Sequence, residues 1–153
     1  MKSKVICPYC RKPALLKTRE DIGLIYGKEK DKYLWVCEPC DARVGTHKGK
    51  KHEPLGTLAD KQLRKTRIEL HGVFDAIWTA DMFKNSITRN KARSRAYAWL
   101  SKKIELPIEQ THVGMFNYEM CKKAIEICKT VNMQIYFHQK HTKFSVYSKS
   151  SLR

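Results

Sequence analysis

A chain of 153 residues is long enough for one ordinary domain, or for a small metal-stabilised module joined to a helical core, and it excludes two large domains. The composition, with 42% hydrophobic residues, 7 Gly and 5 Pro, is that of a globular protein and excludes a disordered chain. The 31 Lys and Arg outnumber the 15 Asp and Glu, which gives a formal net charge of +16. This excess predicts a polyanionic partner, with a surface that serves solubility alone as the alternative.

The sequence contains no run of about 18 apolar residues, which a membrane span requires. Its first ten residues, MKSKVICPYC, also lack the apolar run of a signal peptide. We therefore expect a cytoplasmic protein. Because the cytoplasm keeps thiols reduced, we expect the 6 cysteines to bind metal or to pack in a core rather than to form disulfides.

The segment 1–52 has the pattern of a small β-rich module. Residues Ala14–Thr18 and Tyr33–Cys37 suit two antiparallel strands, and Ala42–His47 suits a third. Residues 19–32 lie between the first two strands, are polar at their far end and contain Gly23 and Gly27, which is typical of a long hairpin loop.

Three helices are predicted within the segment 53–131. The first begins near Thr57 and Asp60, whose side chains suit a capping pair. The second lies in the later part of 84–104, a segment with seven Lys or Arg and no acid, and the third extends from about Tyr118 to Val131. Apolar residues recur at helical spacing in each. They are Ala59, Leu63, Leu70, Val73, Phe74, Ile77 and Trp78 in the first helix, Ala92, Ala96, Trp99 and Leu100 in the second, and Met120, Cys121, Ala124, Ile125, Cys128 and Val131 in the third.

Two C-x2-C pairs, CPYC at 7–10 and CEPC at 37–40, predict a zinc site. A tight turn in each pair places two sulfurs on one side of a metal about 2.3 Å away, and two such turns complete a tetrahedron. The predicted ligands are therefore Cys7, Cys10, Cys37 and Cys40, around one Zn²⁺. A redox pair or a disulfide framework is the alternative, but neither predicts two pairs at the ends of a hairpin. Four protein ligands leave no open position, so the metal is expected to be structural.

The C-terminal segment, 132–153, alternates Ile135 and Phe137, then Phe144 and Val146, around a polar turn, and this pattern predicts a β-hairpin. The predicted fold class is therefore α+β, with an N-terminal β-rich zinc ribbon (1–52) packed on a three-helix region (53–131) and followed by a basic C-terminal hairpin or tail (132–153).

Other chemistry-bearing residues have simpler explanations. His47 and His52 follow the second Cys pair and are interpreted as exposed loop residues, with metal binding as the alternative. Cys121 and Cys128 fall on the apolar face of the third helix and are interpreted as buried free thiols, with a catalytic nucleophile as the alternative.

The sequence contains no phosphate-binding glycine loop, nucleophile elbow or H-E-x-x-H motif. We therefore expect a protein that is not an enzyme, with a nuclease as the minority alternative.

Several blocks of the sequence resemble a known family. They are CPYC, WVCEPCDARVGTHKG, PLGTLADKQLRKTRIELHGVFDAIW, AYAWLSKKIEL and HVGMF, within residues 5–130. Together they resemble a family of small zinc-finger-containing domains found mainly in bacteriophages and prophages. The resemblance implies a zinc ribbon joined to a helical region, with the four cysteines as ligands, and it implies no particular activity. A phage protein would work in the cytoplasm of its bacterial host.

Two functions compete. The leading hypothesis is a non-enzymatic nucleic-acid binder, DNA or RNA, because cations that neutralise phosphates release counterions. The predicted contacts are Arg11, Lys12, Lys48, Lys50, Lys51, Arg89, Lys91, Arg93 and Arg95. Tyr9, Trp35, Tyr136 and Phe137 would stack on unpaired bases if exposed, although core packing is favoured for Trp35. The second hypothesis is a phage protein that binds and modulates a host protein such as a nucleic-acid enzyme.

Overall fold

The structure is a computed structural model, which describes the backbone of residues 4–24 and 33–149 and the side chains of residues 4–24 and 33–135. The described chain forms two compact units. The first unit comprises the described residues up to Arg67 together with Val113–Tyr118, and the second comprises Ile68–His112 together with the described residues from Glu119 onward. The division of the chain into segments 1–52, 53–131 and 132–153 stays a prediction.

The first unit contains a three-stranded antiparallel sheet in the order β1-β2-β3. The strands are β1 (Leu15–Thr18), β2 (Tyr33–Cys37) and β3 (Ala42–Gly45). Trp35 of the central strand lies opposite Leu16 on one side and opposite Val44 on the other. The predicted strands are confirmed to within two residues at their ends, and most of the predicted loop between β1 and β2 lies outside the described residues.

Three helices follow: α1 (Lys61–Asn85), α2 (Arg89–Ile104) and α3 (Tyr118–Lys149). Asp60 begins α1, since its Oδ1 accepts the Leu63 N–H at 2.8 Å, and Thr88 begins α2 by accepting the Lys91 N–H at 3.3 Å. The predicted cap at Thr57 is wrong, because its hydroxyl oxygen accepts a bond from Arg67 instead. No helix in the described residues is both long and apolar enough to cross a membrane.

The second unit has a core made from one face of each helix. In α2 every fourth residue is buried, as a helical stripe requires, and the same holds approximately for the other two helices. The buried residues are Leu70, Phe74 and Trp78 of α1, Ala92, Ala96, Leu100 and Ile104 of α2, and Cys121, Ala124, Ile125 and Cys128 of α3. The mixed α+β fold is therefore as predicted from the sequence.

The C-terminal β-hairpin predicted for 132–153 is wrong as far as Lys149, because α3 continues through that segment. Val131 and Ile135 extend the apolar stripe of the helix by one turn, and no Gly or Pro follows Gly114 to end it. Once a helix is nucleated, each added residue gains a hydrogen bond at little entropic cost, whereas a hairpin needs a turn of its own. The alternating apolar residues therefore belong to a helix and not to the two strands of a hairpin.

A close backbone approach in the first unit yields a testable prediction. A Cβ built at Gly56 would clash with the carbonyl oxygen of Gly114, which also accepts a hydrogen bond from the Thr57 N–H at 2.9 Å. Gly56→Ala is therefore expected to lower the free energy of unfolding by about 1–3 kcal/mol, because backbone must move aside. Urea denaturation monitored by circular dichroism measures the change.

Gly72→Ala is the matched control for that variant. Gly72 lies inside α1, and a Cβ there meets no atom within 4 Å. Alanine is the better helix former, so this variant is expected to gain roughly 0.5–1 kcal/mol. Equal stability of the two variants would show that the Gly56–Gly114 approach does not restrict the side chain.

Candidate functional site

The two predicted cysteine pairs come together in the first unit. The Sγ atoms of Cys7, Cys10, Cys37 and Cys40 all lie within 4.8 Å of one another, and those of Cys10 and Cys37 are 3.5 Å apart. A tetrahedron with metal–sulfur bonds of about 2.3 Å has edges of about 3.8 Å, so the four sulfurs fit one ion of that kind. The four thiols can therefore hold a metal ion.

Each cysteine pair is held by a turn with the same unusual feature. The residue after the second cysteine has a positive φ, 61° at Arg11 and 45° at Asp41. The Arg11 N–H donates to the Cys7 carbonyl at 3.0 Å, and the Asp41 N–H donates to the Glu38 carbonyl at 3.0 Å. Non-glycine residues seldom adopt this left-handed region, so the surrounding structure holds both turns in place.

The cysteines also belong to the core of the first unit. Cys7 and Cys37 are buried, Cys10 and Cys40 are half-buried, and Ala14, Ala42, Val44 and Leu58 pack with them. The buried members of this cluster are small, and Leu58 is the one among them that is larger than valine. A metal that joins four of its members would replace much of the hydrophobic burial that a larger domain uses.

The four thiols differ in acidity. A hydrogen bond with the Lys12 backbone lowers the pKa of the Cys10 thiol to about 7, whereas burial raises the pKa of Cys40 to about 12 and also raises the pKa of Cys37. Metal binding needs thiolates, so the ion competes with protons for these sulfurs. The affinity for metal is therefore expected to fall as the pH falls, since more thiols must then lose a proton on binding.

The other candidate ligands and nucleophiles lie apart from this cluster. Within the described part of the chain, the four cysteines are the one group of three or more Cys, His, Asp or Glu side chains placed to hold a metal. His47 is exposed, and the ring of His52 contacts Tyr33 with the ring centres 4.4 Å apart. Cys121 and Cys128 are fully buried, as predicted, and burial raises the pKa of Cys128 to about 11. A thiol with that pKa stays protonated at neutral pH and is a poor nucleophile.

The aromatic residues of the first unit have structural contacts. The Trp35 indole N–H donates to the His52 carbonyl at 2.7 Å, and the residue is half-buried, in line with the core packing predicted for it. The Tyr9 hydroxyl accepts the Asp60 N–H at 3.0 Å, although 44% of Tyr9 remains exposed. Tyr136 and Phe137 lie beyond the described side chains.

The predicted basic contacts fall into three groups. Arg11 and Lys12 are exposed beside the first cysteine pair, and the three lysines 48, 50 and 51 are exposed on the loop after β3, where Lys50 pairs with Glu53 at 3.3 Å. The third group lies on α2 in the second unit. There Arg89, Lys91 and Arg95 are exposed and Arg93 is half-buried. Their roles as nucleic-acid contacts stay predictions.

Helix α2 is the most one-sided of these surfaces. It carries six Lys or Arg and no acid, and Lys102 and Lys103, which were missed as candidates, are also exposed. Residues four and seven apart share a helix face, so Lys91, Arg95 and Lys102 form one stripe. Among the described residues only Arg95 of these six cations pairs with a carboxylate, that of Asp81 at 3.3 Å. The same spacing argument would have found Lys102 from the sequence.

The chain matches a known protein family. A family model described as a zinc-finger-containing domain matches residues 3–131, which is most of the chain. No curated protein and no solved structure matches. The match confirms the resemblance noted from the sequence as far as the zinc-finger-containing domain, and an origin in bacteriophages stays a prediction.

Proposed function

The chain belongs to the family of zinc-finger-containing domains, and from that premise we propose a non-enzymatic protein that holds one structural Zn²⁺ and binds nucleic acid through α2. Zinc is the ion proposed because four thiolates in a tetrahedron suit its size and softness. Zinc also has no redox chemistry and so does not oxidise its thiolate ligands. With four protein ligands the ion has no position for water or substrate, so its role is to stabilise the first unit.

The observation that carries the nucleic-acid proposal is the acid-free face of α2. The stripe extends from Lys91 through Arg95 to Lys102, a rise of about 16 Å along the helix axis, which suits a few consecutive phosphates. Cations without carboxylate partners gain more from phosphates than paired ones, because no existing bond has to be broken. The net charge of +16 would also raise the rate of association with any polyanion.

A pair of double variants tests this proposal. Lys91→Gln with Lys102→Gln removes two charges from the stripe, and Lys61→Gln with Lys65→Gln removes two exposed charges from α1 as the matched control. For the stripe variant we expect the slope of log affinity against log salt concentration to become shallower by roughly 1.4–1.8, with at least a tenfold loss of affinity at low salt. Fluorescence anisotropy of a labelled oligonucleotide measures both. Equal losses in the two variants, or no binding by the wild type, would count against the proposal.

A second candidate function rests on a different observation. The second unit exposes large apolar side chains, with Ile68 72% exposed, Phe83 75% exposed and Met133 60% exposed. Exposed apolar residues of this size are common at protein–protein contacts. They favour the second hypothesis, a protein that binds and modulates a host protein, as far as contact with a protein partner is concerned. A pull-down from nuclease-treated bacterial lysate separates the two functions, because a stoichiometric partner that survives the treatment supports this one.

A further inference from the structure

The second unit contains a large cleft between its three helices. Its volume is about 950 Å³, which lies at the upper end of the usual range for ligand pockets. Residues from α1, α2 and α3 line it, and most of the lining is apolar. They include Ile77, Trp78, Ala80, Trp99, Val131 and Ile135. The cleft lies far along the chain from the four cysteines of the metal site, and neither the family description nor the proposed function assigns it a role.

Two indole rings face this cleft. Trp78 of α1 is largely buried, with its N–H donating to Asp75 at 2.7 Å, so its orientation is fixed. Trp99 of α2 is half-buried and so keeps part of its side chain accessible. The Arg89 guanidinium lies over the Trp78 ring, 5.4 Å from its centre, so that ring face already has a partner. Trp99 is therefore the indole that offers an accessible aromatic surface for stacking with another flat ring.

The edge of the cleft is basic. Lys84 and Arg95 line it together with the single acid Asp81. Arg95 pairs with Asp81 at 3.3 Å but is 53% exposed, and an ion pair as exposed as this contributes little, so a phosphate can replace the carboxylate. Lys91 and Lys102 continue the stripe of Arg95 along α2 on either side. An occupant that combines flat apolar rings with regularly spaced negative charge fits both the cleft and its edge.

We infer that this cleft takes an unpaired base of a single-stranded nucleic acid, with the neighbouring phosphates on the α2 stripe. The inference rests on the proposed nucleic-acid binding and specifies its substrate class. A duplex satisfies only the stripe, because its bases are already stacked inside the helix. An amphipathic peptide would fit the apolar walls, but it supplies regular negative charge only if its sequence happens to be acidic, so the cationic edge favours the nucleic acid.

Two variants test the cleft by opposite means. Trp99→Ala removes a stacking surface, and Ala80→Phe fills the cleft without removing any side chain that would bind. For both we expect the affinity for a short oligothymidine to fall roughly fivefold to a hundredfold, the range of one lost base–aromatic stack. Affinity for a duplex of equal length should change less than twofold, which also shows that each variant is folded. Ile108→Ala, which removes an exposed large apolar side chain outside the cleft, is the control and should leave both affinities unchanged.

The outcomes distinguish the inference from the function on which it rests. Wild-type protein that binds neither strand form removes the proposed function and the inference together. Wild-type protein that binds both forms, with single-strand affinity unaffected by Trp99→Ala and by Ala80→Phe, overturns the inference alone. Protein that binds neither form but binds an acidic amphipathic peptide, with a loss in Ala80→Phe, assigns the cleft to a protein partner and also overturns it.

Discussion

Removal of the metal with a strong chelator is expected to unfold the first unit while the core of the second stays folded. Cys7 and Cys37 are buried members of the first unit's small core, so losing the ion leaves four sulfurs that repel or must take up protons. Structural zinc contributes on the order of 10 kcal/mol in small metal-dependent modules, which exceeds the whole stability of many domains. The second unit's buried residues include no member of the four-cysteine group.

Hydrogen exchange read by mass spectrometry measures this difference between the units. In metal-free protein, the amides of β1, β2 and β3 are expected to exchange within seconds, while those of α2 keep their protection. Cys40→Ser should reproduce the effect and lower the zinc content below one ion per chain. Cys128→Ala, which removes a buried thiol elsewhere, should keep one zinc per chain and is the matched control. A sheet that remains protected without metal would contradict a structural role for the ion.

The parts of this molecule that the sequence predicted correctly depend on local patterns. The spacing of the two cysteine pairs and the short strands beside them indicate a four-sulfur cluster, because a tight C-x2-C turn places two sulfurs on one side of a metal. The buried face of α2 follows from apolar residues at a spacing of four, and Asp60 begins α1 by a contact that reaches only three residues along the chain.

The parts that the sequence did not reveal depend on residues far apart in the chain. Thr57 is a residue type that often caps helices. Its hydroxyl instead donates to the carbonyl of Gly114, which lies 57 residues later in the chain. No local pattern in the sequence predicts this contact between Thr57 and Gly114. No local pattern predicts the cleft either, because residues of three helices line it. The length of α3 was missed for the opposite reason, because a local alternation of apolar residues suggested a strand where continued helix formation prevailed.

Arg67→Ala is expected to destabilise the first unit strongly, although the residue is charged and lies outside the four-cysteine group. Only 9% of Arg67 is exposed, and its guanidinium lies between two segments of the first unit. Its Nε and Nη2 donate to the Phe116 carbonyl at 3.3 and 2.9 Å, and its Nη1 donates to the Thr57 carbonyl at 2.9 Å. Nη2 also donates to the Thr57 hydroxyl at 2.7 Å. One planar cation thus ties the loop before α1 to the Val113–Tyr118 segment.

Truncation at this position removes a charged donor from two carbonyls in the interior and leaves space behind it. Leaving a buried acceptor without its donor costs about 1–3 kcal/mol, and two carbonyls lose theirs, so a loss of about 2–6 kcal/mol in the free energy of unfolding is expected for Arg67→Ala. Arg67→Lys should lose at least half as much, because an ammonium group lacks the planar fork that reaches both segments at once. Urea denaturation at saturating zinc measures these values without a contribution from metal loss.

Arg95→Ala is the control for the removal of an arginine as such. Arg95 is 53% exposed and pairs with one surface carboxylate, so its loss is expected to change stability by less than about 1 kcal/mol. If Arg67→Ala destabilised the protein no more than Arg95→Ala does, water would be replacing the guanidinium at both carbonyls, and the buried bonds could not be what holds the two segments together. A large gap between the two variants means that the fold of the first unit depends on Arg67 as well as on the metal.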